Sequence, residues 1–246
     1  MLRLVERHAD APPVNTNELV LVQGMAATKE TLAEWNRDPW GTLRVWLGWA
    51  VLTAIGLLFA VYVVARLSTP DATQLIIPGV QREADFGDAE RVLLKNSLVL
   101  ALHAMACVAG FLAGSAVPQQ AQFKSGLNKW VHEKAGPFAI AFVVCATTFS
   151  LCTQAYLLGS ATSTVAANLG IGPAKLLMAL SLHAIPELTA LFLPLAAWVV
   201  ASRRGDWHKL LAATAVTVAL AVPVLFAACM VEVYVTPRLI SSLAGV

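Results

Sequence analysis

Long apolar stretches separated by short polar segments dominate the pattern of this chain. A helix needs about 20 apolar residues to cross the hydrocarbon core of a bilayer. The stretches that reach this length lie at about 44–67, 95–117, 137–159, 173–201 and 209–235. The pattern therefore predicts an all-α, polytopic transmembrane bundle with five spans, which form a membrane domain over residues 44–240.

The polar sequence outside these spans falls mainly into two segments. Residues 1–43 predict a tail with a short helix in ATKETLAEWNRDP, which Pro39 ends. Residues 68–94 predict a loop, and their DFGDAER stretch is typical of a capped start to the second span. The segment 160–172 predicts another loop, either wholly external or partly re-entrant.

The composition agrees with a lipid bilayer as the environment. Hydrophobic residues make up 58% of the chain and charged residues only 13%, whereas a soluble domain has about 25% charged residues. The mean hydropathy is +0.68. The net charge of +2 gives no support for nucleic-acid binding. All four cysteines lie in predicted spans without metal-ligand spacing, so we interpret them as small apolar side chains.

Basic residues are more frequent in the loops on one side of the predicted bundle than in those on the other. The loop 160–172 contains none, and the C-terminal segment contains only Arg238. Because cytoplasmic loops carry an excess of Lys and Arg, we expect a cytoplasmic N-terminus, an external C-terminus and an external 68–94 loop. The residues on the cytoplasmic side are Lys124, Lys129 and Lys134 in one loop and Arg203 and Arg204 in the other.

Ionisable side chains inside the last two spans are the strongest functional signal. His183 and Glu187 are four residues apart, so they share one helix face. Glu232 lies in the following span. A charged side chain at bilayer depth costs at least about 2.5 kcal/mol. Such groups therefore pair with one another, line a pathway or hold helices together.

The alternating direction of the spans places most intramembrane polar groups in one half of the bilayer. Each residue of helix advances about 1.5 Å, which puts Glu187 near the midplane and the other groups on one side of it. We therefore predict a single polar cluster around His183 and Glu187. The other members are Asn96, His103, Gln154, Tyr156 and Glu232.

Prolines and glycines shape the predicted spans. Pro186, Pro194 and Pro223 each remove a backbone hydrogen bond, so we expect proline-kinked helices. Gly110 and Gly114 form a small-xxx-small pair, which predicts a closely packed neighbouring helix in this chain or in another.

The segments LSLHAIPELTALFLPLAAWV and LFAACMVEVYVTP are also similar in sequence to a known family of membrane proteins. They resemble the signature of the stage II sporulation protein M family of bacterial membrane proteins, strongly over about 173–240 and faintly over 94–160. Ala184 and Pro186 depart from the Gly and the bulky apolar residue usual in that family. The residues at matching positions are His183, Glu187, Glu232, Tyr234 and Pro237, with Asn96, Gly110 and Gly114 in an earlier span.

This resemblance implies a protein of the bacterial plasma (inner) membrane that works with other membrane or envelope proteins. For spore formers, the resemblance implies a membrane anchor for a peptidoglycan-remodelling complex. The resemblance also adds Tyr234 to the predicted polar cluster.

Several functions stay open for the cluster. We favour a non-enzymatic scaffold or permease-like subunit without a cofactor, in which hydrogen bonds tie the spans together; self-association stays open. The alternative is a proton- or ion-coupled transporter or channel that uses Glu187 and His183. The third is a metal-dependent intramembrane hydrolase, with zinc on His183, Glu187 and Glu232 or His103, although the chain lacks a His-Glu-x-x-His motif.

Overall fold

The computed structural model of the chain describes residues 20–72, 77–116, 125–127, 130 and 134–245. Within these residues, regular secondary structure is helical, and five helices are long and apolar enough to cross a bilayer. The protein is therefore an all-α, polytopic transmembrane bundle, as the sequence predicts. Residues 1–19 of the predicted tail, and the predicted cytoplasmic Lys124 and Lys129, lie outside the described residues.

The helices, numbered in chain order, are α1 Val20–Trp35, α2 Pro39–Leu67, α3 Phe86–Phe111, α4 Ala135–Asn168, α5 Pro173–Arg204, α6 Leu210–Met230 and α7 Thr236–Ala244. There are also π-helical turns at Leu112–Ala116 and Val231–Val235 and a 3₁₀ turn at Trp207–Lys209. The five spans are α2, α3, α4, α5 and a final span in which a π-helical turn joins α6 to α7.

Side-chain caps set the beginnings of the first two spans. Asp38 Oδ1 accepts a hydrogen bond from the Gly41 backbone N–H at 2.9 Å. Asp85 and Asp88 form a reciprocal capping box, with bonds of 2.9 and 3.1 Å, so the predicted capped start is confirmed. The predicted tail helix is present as α1, but Pro39 begins α2 instead of ending α1, because the first helical turn tolerates a missing N–H.

The helix α4 is longer than the sequence predicts. It continues to Asn168, so most of the segment 160–172 is helical and not a loop. Ser163 Oγ donates to the Ser68 carbonyl at 3.1 Å, which holds this end of α4 against the end of α2. The helix stops just before Gly170, whose φ of 65° suits a helix C-terminus.

The most central span is α5. It packs against α2, α3 and α6, and its side chains from Ala190 to Trp198 are buried. In contrast, α4 packs mainly on α2 and leaves most of its surface to face lipid. Pro186 and Pro194 lie inside α5, and Pro223 lies inside α6; both helices continue past them.

Gly110 and Gly114 receive tryptophans of the same chain. An added Cβ at Gly110 would collide with the indole Nε1 of Trp198. An added Cβ at Gly114 would collide with the ring of Trp207. The neighbour that the small-xxx-small pair predicts is therefore α5 and the turn that follows it.

Candidate functional site

His183, Glu187 and Glu232 meet in the structure. One potential ligand atom from each lies within 4.8 Å of the others. His183 and Glu187 come from successive turns of α5, and Glu232 comes from the π-helical turn of the final span. The central part of the predicted cluster is thus present as one group of side chains.

The π-helical turn that carries Glu232 is covered by the loop before α3. Pro237 follows this turn and lacks a backbone N–H, so the regular α-helical bonding pattern cannot run through it. Gly79 packs directly on Pro237: an added Cβ there would lie 2.6 Å from the Pro237 Cβ. The φ of 80° at Gly79 also requires a glycine. The loop therefore fixes the end of the final span beside Glu232.

His183 is held by Thr236 at the start of α7. Its Nδ1 lies 2.9 Å from Thr236 Oγ1, and both side chains are buried. A hydroxyl group can donate or accept, so either tautomer of the imidazole can form this bond. The sequence analysis did not include Thr236. Its position four residues after Glu232 is the signal that places it on a similar side of the helix.

Asn96 of α3 lies beside Glu187, as the predicted cluster requires. The two side chains interact, but Asn96 Nδ2 and Glu187 Oε2 are buried without a hydrogen bond of ordinary geometry. A buried polar atom without a partner costs about 1–3 kcal/mol. Within the described structure, this pair is the part of the cluster whose bonding capacity is unfilled.

A cavity of about 570 Å³ leads to the cluster. His183, Glu232 and Thr236 form part of its wall. The remaining wall includes exposed side chains, so the cavity opens at the surface of the bundle. Its other charged residues are Arg82, Asp88, Arg91 and Lys95.

Asp88 organises the charged wall of this cavity. Arg82 and Arg91 both form ion pairs with its carboxylate. The hydrogen bond to Asp88 is the main cause that raises the pKa of the Arg82 guanidinium. Lys95, one helical turn after Arg91, interacts electrostatically with Glu232. Cationic side chains therefore line the approach to the acidic pair. The sequence pattern did not indicate this role for Arg82 and Arg91, because both lie in the segment 68–94 outside the predicted spans.

His103 binds the backbone of α5 and not a glutamate. Its Nδ1 lies 2.7 Å from the Leu191 carbonyl oxygen. One turn later on α3, Cys107 Sγ donates to the Pro194 carbonyl at 3.2 Å. Side chains of α3 thus bind two backbone carbonyls of α5 close to Pro194. His103 joins these two helices apart from the group around His183.

Gln154, Tyr156 and Tyr234 have other neighbours than the predicted cluster. Gln154 Nε2 donates to Ser150 Oγ at 3.0 Å on its own helix. Tyr156 is an exposed residue of α4, and Tyr234 is partly exposed and lines a different cavity with Gly79. Gln154 and Tyr156 were assigned to the cluster from their depth in the bilayer, which does not specify the direction of a side chain around its helix axis. Tyr234 was assigned to it from the resemblance alone.

Comparisons of the chain with protein-family models, with curated proteins and with solved structures found no match. The resemblance to the stage II sporulation protein M family therefore stays a prediction.

Proposed function

We propose that this protein is a non-enzymatic scaffold or permease-like subunit of a larger membrane assembly. The observation that carries the proposal is the convergence of polar side chains from α3, α5 and the final span at one site. Individual side-chain hydrogen bonds between membrane helices contribute about 0.6 kcal/mol, and up to about 1.7 kcal/mol. The His183–Thr236 bond joins α5 to the final span. The nearby bonds of His103 and Cys107 join α3 to α5. Together these bonds favour a single relative arrangement of the three spans.

The packing beyond the cluster supports a static role. From Ala190 to Trp198, α5 is buried. Its neighbours there include the apolar side chains Leu100 and Leu225. Ion pathways through membrane proteins are lined by polar groups or water. A filled apolar layer next to the cluster favours a scaffold over a continuous conduction path.

A proton- or ion-coupled transporter or channel is the second candidate. The observation in its favour is the charged cavity, which gives His183 and Glu232 access to one side of the bundle. In this function, Glu187 and His183 carry the proton or the cation. Movement of α5 against α3 is then needed to open the apolar layer.

We further propose a bacterial plasma membrane as the location, with the N-terminus in the cytoplasm and the C-terminus outside. Arg203 and Arg204 at the end of α5 lie at the opposite end of this helix from the cavity, which supports this orientation. The resemblance to the stage II sporulation protein M family supports partners among other membrane or envelope proteins. Further copies of this chain are the other candidate partner.

The test compares the wild type with Glu187→Gln in proteoliposomes and in detergent. We expect no proton or cation flux through either protein. We also expect a lower melting temperature for the variant, by about 2–4 °C for each kcal/mol lost in a chain of this size. Glu90→Gln, at an exposed carboxylate of α3, is the matched control and should melt like the wild type.

The opposite result identifies a conductor. Flux through the wild type that Glu187→Gln abolishes, with equal melting temperatures and equal incorporation, would replace the scaffold with the second candidate.

A further inference from the structure

We propose that His183, Glu187 and Glu232 form a binding site for a divalent transition metal ion, with Zn²⁺ as the best fit. The inference rests on the proposed scaffold function and names the ligand of its cluster. A metal ion held by these residues links α5 to the final span, through the π-helical turn that carries Glu232.

The geometry of the three side chains is close to that of a metal site. Their potential ligand atoms already lie within 4.8 Å of one another. Zinc binds His nitrogen and carboxylate oxygen at about 2.0–2.2 Å, which sets tetrahedral ligand atoms about 3.4 Å apart. Side-chain rotations that move each atom by roughly 1 Å are sufficient to reach this spacing. No rearrangement of the helices is needed.

The charges of the cluster also call for a cation. Glu187 and Glu232 interact with each other electrostatically, and both lie within predicted membrane spans. Lys95 interacts with Glu232, but its side chain is exposed at the cavity wall. Buried charges in proteins are paired or coordinate metals. A divalent ion between the two carboxylates balances both charges at once.

The surroundings leave the ligand atoms free. Thr236 binds Nδ1 of His183, which leaves Nε2 of the ring for a metal and fixes the ring orientation, as outer partners of metal-bound histidines do. On the other side, Glu187 Oε2 is buried and makes no hydrogen bond of ordinary geometry with any described residue. The group of side chains whose ligand atoms converge therefore includes one imidazole of fixed orientation and one carboxylate with an unfilled oxygen.

The ligand types and the cavity narrow the choice of metal. An imidazole with two carboxylates suits zinc and related transition metals, whereas Ca²⁺ needs six to eight oxygen ligands. Because His183 and Glu232 line the cavity, an ion has a route from the surface to the site. Water in the cavity can supply the fourth ligand.

The first experiment measures zinc bound to the full-length protein in detergent. The protein is stripped with a chelator, equilibrated with Zn²⁺, separated by gel filtration and analysed by mass spectrometry for metal content. We expect stoichiometric zinc in the wild type and in Glu90→Gln. We expect at least about a tenfold loss of affinity in His183→Ala, Glu187→Gln and Glu232→Gln.

A second experiment does not depend on loss of binding. Cys229, which donates to the Ala89 carbonyl at 3.2 Å and lies near both glutamates, is first replaced by alanine. In this background, Glu232→Cys should give a thiolate-to-metal charge-transfer absorption with Co²⁺. The background protein alone, and Glu90→Cys within it, should give none.

Any of three results would overturn the metal site. The first is a wild type that retains no stoichiometric zinc, and the second is zinc that remains bound in all three single variants. The third is absence of the cobalt absorption in the Glu232→Cys protein, which argues against Glu232 as a ligand. The flux measurement above tests the scaffold function separately, so failure of one proposal is distinguishable from failure of the other.

Discussion

Thr236 holds the imidazole of His183 through its hydroxyl group, where neither side chain is exposed to solvent. In an apolar environment no water replaces a lost partner, so an imidazole without this bond keeps an unpaired polar nitrogen. The threonine therefore matters for its oxygen and not for its methyl group.

Replacing Thr236 by valine preserves the shape of the side chain and removes the hydroxyl. We expect Thr236→Val to lower the free energy of unfolding by about 1–2 kcal/mol. The measurement is unfolding in detergent, followed by thermal melting or by titration with denaturant. Thr236→Ser, which keeps the oxygen, should stay close to the wild type, whereas equal losses in both variants would show that the methyl group is what matters.

Single residues of the site differ in how well the sequence reveals them. His183, Glu187 and Glu232 are evident because ionisable side chains are rare and costly in apolar spans. Thr236 is not, because a threonine in a membrane helix has a low cost and can bond to its own backbone. The direction of Gln154 depends on the rotation of α4, which its hydropathy does not encode.

At the scale of helices, the contact between α3 and α5 is set by a glycine. Gly110 lets the backbone of α3 approach the indole of Trp198, which is among the largest fully buried side chains. Membrane helices approach closely where small residues lie between them. The same two helices are joined by His103 and by Cys107. Gly110 and these two bonds together hold α3 against α5.

We expect Gly110→Ala to destabilise the protein by about 1–3 kcal/mol, because the rigid indole leaves no room for a methyl group. Gly56→Ala in α2 is the matched control, since an added Cβ at Gly56 meets no atom of the described residues within 4 Å. The control should be neutral or slightly more stable, as alanine favours helix formation. Unfolding in detergent measures both, and an unchanged Gly110→Ala would contradict this packing argument.

The number and approximate position of the spans were predictable from the sequence, but the residues at which the helices begin and end were predictable only in part. The start of α3 follows from a local rule, because Asp85 and Asp88 satisfy each other's backbone groups. The end of α4 does not, because small polar residues in 160–168 neither stop a helix nor demand one. Contacts with the end of α2 stabilise the helical conformation of this segment, and these contacts join residues that are far apart in the sequence.

For the whole molecule, the charged cavity and the basic end of α5 lie at opposite ends of the bundle. The cavity lies near the loop 77–85 and the start of α3, whereas Arg203 and Arg204 end α5 at the other side. The proposed orientation therefore opens the cavity to the outside of the cell. A ligand of this cavity would be taken from the external medium.

Cysteine labelling in intact cells tests this orientation. In a background without the native cysteines, Glu83→Cys should react with a membrane-impermeant maleimide added outside, because Glu83 is exposed beside the cavity. His208→Cys, exposed at the other end, should react only after the membrane is permeabilised. The reverse pattern would invert the orientation while leaving the fold unchanged.

The order of the spans along the chain has a consequence for biosynthesis. During translation, α5 enters the membrane with His183 and Glu187 before the ribosome has made the final span. Glu232 and Thr236 are synthesised and inserted last. Until then, His183 and Glu187 lie at bilayer depth without these two partners. If translation stops within α6, Glu187 therefore lies in the bilayer without the final span beside it. The site is complete only when the last span has packed against α5.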